Sequence, residues 1–227
     1  RMTKPKARTM SNEAGPVVDP DLPLIITPAK GSDPLAPLVF FISGDGGWYS
    51  FEGNMSDLMA ESGTPTVGLD AKKYFWDRKT PEQSAAAVEQ TCKSYMARFN
   101  KQKVLLVGYS MGAEVLPFIF SNLSPEMKSA VKGSVLLSPG EMGDFEVHIT
   151  NMLSMGNSSN TYDVVKELKL IAPSTPVLII TGEKEDSTLP KELEGTGIKF
   201  AQVPGDHHYD NDPGSIVRIL KAQGLVP

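Results

Sequence analysis

The sequence predicts an α/β protein: one mainly parallel sheet covered by helices on both faces. Three observations carry the prediction. Short, continuously apolar runs recur, as in Leu38-Val39-Phe40-Phe41-Ile42 and Val104-Leu105-Leu106-Val107. A strand buried on both faces reads this way, because neither set of alternate side chains meets water. Segments of helical character separate these runs, and that alternation builds parallel sheets. Finally, 227 residues with 40 % apolar content suit one core.

The elements follow in order. Residues 1–21 are polar and Pro-containing, with basic side chains at Arg1, Lys4, Lys6 and Arg8, and are expected to be a flexible lead-in. The remainder, 22–227, reads as one domain without repeat or linker. Strands are expected at 22–27 (an edge), 38–43, 66–69, 103–109, 133–137, 176–181 and 198–203. Helices are expected at 51–62, 81–99, 112–120 and 213–222. The helix at 81 carries its own start signal: Thr80 as N-cap, Pro81 in first position, Glu82 and Gln83 in the first turn. Pro117 removes one helical hydrogen bond and is expected to kink the helix at 112–120. Residues 138–160 break the rhythm, being rich in Gly, Met, Asn and Ser. They are read as an excursion over the carboxyl end of the sheet, either a lid or a surface loop.

Composition bounds the function. The net charge of -5 argues against a nucleic-acid partner, which needs a concentrated positive surface. No run approaches the roughly 20 apolar residues of a membrane helix. The single cysteine, Cys92, forms no internal disulfide and falls in a helical pattern, where a buried thiol is expected. The chain opens on Arg1 and is expected to be a mature or trimmed product.

The chemistry centres on Gly108-Tyr109-Ser110-Met111-Gly112, a G-x-S-x-G between a strand and a helix. In that context the serine sits at the tip of a sharp turn, and the glycines let strand and helix approach. The helix N-terminus behind it, with free N–H groups and the positive dipole end, suits a developing oxyanion. The pattern is that of an α/β-hydrolase, with Ser110 as nucleophile. Such folds order their residues as nucleophile, acid, histidine. His207 and His208 follow the last strand, and the spacing from Gly205 with Tyr209 as the following aromatic selects His208 as base, His207 being the reserve. The acid is expected after 176–181, where Glu185 and Asp186 both qualify. Its role is to fix the imidazole tautomer and stabilise the imidazolium.

Gly44-Asp45-Gly46-Gly47-Trp48 follows the first central strand, where these folds carry the second oxyanion donor. The backbone N–H groups of Asp45 and Met111 are the expected pair. No nucleotide-binding glycine motif occurs. Two adjacent histidines do not make a metal site, so no metal and no cofactor are expected. Gly46 and Trp48, with Tyr74, Trp76 and Arg78 in the loop after 66–69, are the expected substrate contacts; a plain loop cover is the other reading of 74–78.

These stretches, together with Ala113, Pro81 and Pro204-Gly205-Asp206-His207-His208-Tyr209, resemble the bacterial VirJ/AcvB virulence-protein family from about residue 37 onward. The resemblance implies a serine ester hydrolase of the bacterial envelope, exported to the periplasm. It implies Ser110 as nucleophile, His208 as base and Glu185 or Asp186 as acid. AcvB is associated with hydrolysis of lysyl-phosphatidylglycerol and VirJ with type IV secretion. The implied partners are therefore an ester or aminoacyl-lipid substrate, a membrane surface and secretion-system proteins. Two departures stand out: Tyr209 replaces the expected Phe, and the stretch after Gly182 lacks the cysteine associated with relatives.

Overall fold

The computed structural model describes residues 18–148 and 161–227. The chain runs β1 (Leu24–Thr27), β2 (Leu38–Ile42), α1 (Ser50–Glu61), β3 (Thr66–Leu69), α2 (Ala71–Tyr74), α3 (Pro81–Arg98), β4 (Val104–Tyr109), α4 (Met111–Ser121), α5 (Pro125–Ala130) and β5 (Val131–Leu137). It continues through β6 (Met142–Gly143), β7 (Tyr162–Asp163), α6 (Val164–Ile171), β8 (Val177–Gly182), α7 (Leu189–Glu192), β9 (Lys199–Val203) and α8 (Pro213–Ala222). Seven strands form one sheet in the order β1-β3-β2-β4-β5-β8-β9. Only β1 runs antiparallel, at the edge beside β3. Residues 1–17, most of the expected lead-in, and 149–160, half of the expected excursion, lie outside the described residues.

The apolar runs do what continuous hydrophobicity requires. In β2, Leu38, Phe40 and Ile42 enter the core on one face, packed with residues of α3, α4 and α6. Val39 and Phe41 enter the opposite core with residues of α1 and α8. Each helix presents an apolar stripe to the sheet, so the strands are shielded twice. Thr80 caps α3 as predicted, and the structure closes the cap into a reciprocal box: Gln83 N–H donates to Thr80 Oγ1 at 3.0 Å and Thr80 N–H to Gln83 Oε1 at 2.9 Å. Helix α4 continues through Pro117 to Ser121.

The start of the excursion is anchored to the body. Strands β6 and β7 pair antiparallel. Phe145 is buried among Phe75, Phe118 and Tyr162. Lys79 N–H donates to the Phe145 carbonyl and Val147 N–H to the Phe75 carbonyl. Among the described residues, no helix is long and apolar enough to cross a membrane. Cys92 is fully buried and burial pushes its thiol pKa up, so it stays an inert thiol.

Candidate active site

The sharp turn at Ser110 forms because only glycine fits its flanks. A Cβ on Gly108 would meet the backbone of Gly112 and Ala113. One on Gly112 would lie far inside contact distance of the Ile42 and Ser43 carbonyls in the neighbouring strand. Ser110 takes φ 52° and ψ -114°, a strained conformation for a residue with a side chain. Its N–H is tied to the Leu137 carbonyl at 2.9 Å, and its carbonyl accepts from Ala113 and Glu114. The strain thus holds the hydroxyl out from the tip of β4.

The side chain that meets this hydroxyl is His207, at 3.1 Å between Nε2 and Ser110 Oγ. His207 Nδ1 lies 2.9 Å from Glu185 Oε1. The expectation of His208 is therefore corrected in favour of the reserve. The reason is the turn that carries the two histidines. Tyr209 N–H donates to the Asp206 carbonyl, and His208 N–H donates to Asp206 Oδ1 at 2.8 Å. Consecutive positions of that turn project differently: His207 points inward between Ser110 and Glu185, while His208 is exposed, its Nδ1 3.3 Å from the Tyr109 hydroxyl.

Glu185 rather than Asp186 faces the histidine. Glu185 folds back on the end of β8, where its Oε2 accepts from Gly182 N–H and from Ser138 Oγ, each at 2.6 Å. With Oε1 on His207, its orientation is set at three points. Asp186 is exposed and makes none of these contacts. A Cβ on Gly182 would collide with the Gly205 and Asp206 carbonyls, so glycine there lets the acid and histidine loops touch. Lys184 N–H to the Gly205 carbonyl, 2.9 Å, stitches the two loops together.

Three positioning residues were not assigned from the sequence. Ser138, at the end of β5, bridges Glu185 and the Tyr209 hydroxyl. Tyr209 is fully buried, and its one proton is shared between Ser138 Oγ and the Ile180 carbonyl 3.1 Å away. Tyr109 donates to the His207 carbonyl at 2.8 Å. Burial, then the charges of Glu52, Glu185, Asp206 and Asp45, pushes the Tyr109 hydroxyl pKa up, which keeps it a neutral donor. The readable signal for Ser138 was its place at the carboxyl end of a central strand; for Tyr109, its place beside the serine.

The loop after β2 closes the site from the other side. Gly47 N–H donates to the Gly44 carbonyl, so Asp45 and Gly46 form the tip of a tight turn. A Cβ on Gly44 would touch the Tyr109 ring and Ser110 Cβ, at 3.3 and 3.6 Å. Two carboxylates brace the loop. Asp70 accepts from Trp48 N–H at 3.3 Å and Lys73 N–H at 3.0 Å. Glu52, only 2 % exposed, accepts from Tyr49 N–H at 3.1 Å, and burial raises its pKa. The resulting pocket, about 300 Å³, is lined by Asp45, Tyr49, Glu52, Tyr109, Ser110 and His207 among others. Among the described residues, no Lys or Arg lines it. Met111 opens α4 immediately behind Ser110 with its side chain buried.

The expected substrate contacts divide. Gly46 lies on the pocket wall and, with Trp48 and Trp76, also lines an adjoining groove. Tyr74 is 8 % exposed and packs edge-on against Phe75 in the core. Arg78 turns away to Glu146, donating from Nε at 2.9 Å and from Nη2 at 2.7 Å. Neither lines the pocket or the groove. His148 pairs with Asp144 at 2.6 Å, away from Ser110. Among the described residues no cluster of His, Cys, Asp or Glu could hold a metal ion.

Glu114, one turn into α4, holds the excursion. Its Oε1 accepts from Gly140 N–H at 3.0 Å. Burial, opposed by that hydrogen bond and helped by Asp45, pushes its carboxyl up to about 7. The unfolded chain binds this proton less tightly, so the stability Glu114 confers is complete below its ordinary value of 4.5 and is lost as pH rises to about 7. The loss amounts to about 3 kcal/mol. Glu114→Gln keeps an acceptor for Gly140. Urea unfolding should show it more stable than the parent at about pH 8, with the gap closing on acidification. A constant gap would show that Glu114 does not titrate in this range.

Solved structures share this architecture. The chain superposes on Est1E from Butyrivibrio proteoclasticus with TM-score 0.63 and 15 % identity, over 89 % of this chain and 92 % of that one. It superposes on proline iminopeptidase from Mycobacterium smegmatis with TM-score 0.61 and 14 % identity, over 89 % and 93 %. For the naproxen esterase of Bacillus subtilis the values are 0.56 and 14 %, over 89 % and 87 %. At such identities the likeness establishes the fold, which is that of the α/β-hydrolases. No curated protein matches the chain. The family model for the bacterial virulence protein VirJ matches residues 36–224, and the chain belongs to that VirJ family.

Proposed function

We propose that the protein is a serine hydrolase of carboxylic esters, with an aminoacyl-phospholipid such as lysyl-phosphatidylglycerol as its substrate. The observation that carries the reading is the unbroken chain from Ser110 Oγ through both nitrogens of His207 to Glu185. Ser110 attacks the acyl carbonyl while His207 Nε2 takes its proton, and Glu185 stabilises the imidazolium. The N–H groups of Asp45 and Met111 hold the oxyanion. His207 returns the proton to the departing alcohol, which leaves an acyl-Ser110 ester. Water attacks that ester as His207 takes its proton, and the acid and free Ser110 are released.

The acyl preference draws on charge. Asp45 and Glu52 line the catalytic pocket, with no Lys or Arg beside them among the described residues, which favours an acyl group bearing an ammonium. The lipid half and the envelope location draw on the family. The test compares the parent with Ser110→Ala on lysyl-phosphatidylglycerol, alanyl-phosphatidylglycerol and p-nitrophenyl acetate. Turnover by the parent alone, fastest on lysyl-phosphatidylglycerol, is expected. Equal turnover by both removes Ser110 from the mechanism. Turnover of p-nitrophenyl acetate alone would make the protein a small-ester esterase, and none at all a binding or secretion-accessory module.

A further inference from the structure

Beside the catalytic pocket lies a second, larger groove of about 630 Å³, lined by Gly46, Gly47, Trp48, Tyr49, Asp70, Lys72, Lys73, Trp76 and Asp77. Gly46, Gly47 and Tyr49 line both spaces, so the loop that walls the nucleophile also floors the groove. Two features set this face apart. Six large hydrophobic residues are exposed among the described ones, and the two aromatic ones, Tyr49 at 63 % and Trp76 at 51 %, both stand in this groove. Lys72 and Lys73 line the same groove, both exposed and in no ion pair among the described residues. Of the two carboxylates present, Asp70 is spent on the backbone N–H groups of Trp48 and Lys73. Asp77 alone faces solvent.

We infer that this groove is where the protein docks on an anionic bilayer, with Lys72 and Lys73 on lipid phosphodiesters and Trp76 and Tyr49 inserted at headgroup depth. Aromatic rings with one apolar and one polar end favour that depth. Each lysine near an anionic surface strengthens attachment about fivefold. The overall charge of -5 does not oppose this, since charges more than a Debye length away are screened. Docking here sets the mouth of the Ser110 pocket against the lipid surface. A phosphodiester alcohol then lies against Lys72 and Lys73 while a cationic acyl group enters the pocket of Asp45 and Glu52.

The inference extends the ester-hydrolase reading to where its substrate comes from, and its test is read without turnover. Partition is measured by sedimentation at low ionic strength with vesicles of equimolar phosphatidylcholine and phosphatidylglycerol, and of phosphatidylcholine alone. The parent and Ser110→Ala should partition equally, and onto the mixed vesicles preferentially. Lys72→Ala with Lys73→Ala should weaken that partition about thirtyfold. Trp76→Ala should weaken it on both vesicle types. The same charge change on α6, Lys166→Ala with Lys169→Ala, should leave it intact. Failure of the parent to bind mixed vesicles, equal binding to pure phosphatidylcholine, or equal loss in both lysine pairs overturns the inference. Release by millimolar glycerol phosphate also overturns it, in favour of a soluble phosphate ester. If Ser110→Ala binds vesicles yet still hydrolyses ester, the catalytic reading falls and the docking face stands.

Discussion

His207→Ala is expected to lose at least about 10⁴-fold in kcat, and His208→Ala to stay within about threefold of the parent. The contrast between adjacent histidines makes the prediction sharp. His207 Nε2 is the acceptor available to the Ser110 hydroxyl, at 3.1 Å, and without it the alcohol has no base. His208 reaches only the Tyr109 hydroxyl, at 3.3 Å. Tyr109 keeps its firmer bond to the His207 carbonyl when His208 is removed. Both variants should fold, because neither ring is buried in the core. Steady-state hydrolysis of p-nitrophenyl acetate decides the matter. A dead His208→Ala beside an active His207→Ala would reverse the assignment.

Glu185→Gln is expected to cost about 10⁴-fold in kcat with little change in stability. The replacement has nearly the same shape but swaps one acceptor oxygen for a donor. The amide oxygen stays with Gly182 N–H and Ser138 Oγ, two donors at 2.6 Å. The NH₂ group then faces His207 Nδ1. That turns Nδ1 into an acceptor and moves the imidazole proton to Nε2, where it can no longer take a proton from Ser110. The variant also lacks the negative charge that stabilises the imidazolium. Asp186→Asn, at an exposed carboxylate out of contact with His207, should behave as the parent. Steady-state kinetics of both variants, with urea unfolding of Glu185→Gln as the fold control, measures this. A Glu185→Gln enzyme of parental kcat would show that the carboxylate does not orient the base.

How much of this was legible depends on the range of the forces involved. Strand β2 was readable because burial on both faces leaves a continuous apolar run, and α3 because Thr80 and Gln83 close a local capping box. Helices α2 and α5, the β6–β7 pair and α7 are too short to display a period. Helix α6 did carry one, with Val164, Leu168 and Ile171 buried at helical spacing behind the Asp163 cap, yet eight residues are little to read. Ser110 was legible because Gly108 and Gly112 stand at fixed spacing on either side of it, even though what presses on Gly112 is the neighbouring strand. Glu185 and His207 were legible only to within one residue. Chain order selects the loop, but turn geometry selects the side chain, and that depends on Asp206 and Gly182 packing together. Tyr74 and Arg78 were misplaced for a related reason. What buries one and engages the other, Phe75 with its core neighbours and Glu146, is fixed by tertiary contacts, in the second case 68 residues along the chain.

The most direct test of Ser110 as an activated nucleophile needs no knowledge of the substrate. A fluorophosphonate should form one covalent adduct, located by mass spectrometry on the peptide carrying Ser110, slowed strongly by His207→Ala and abolished by Ser110→Ala. An unlabelled parent, or a Ser110→Ala variant labelled as fast as the parent, would contradict the mechanism.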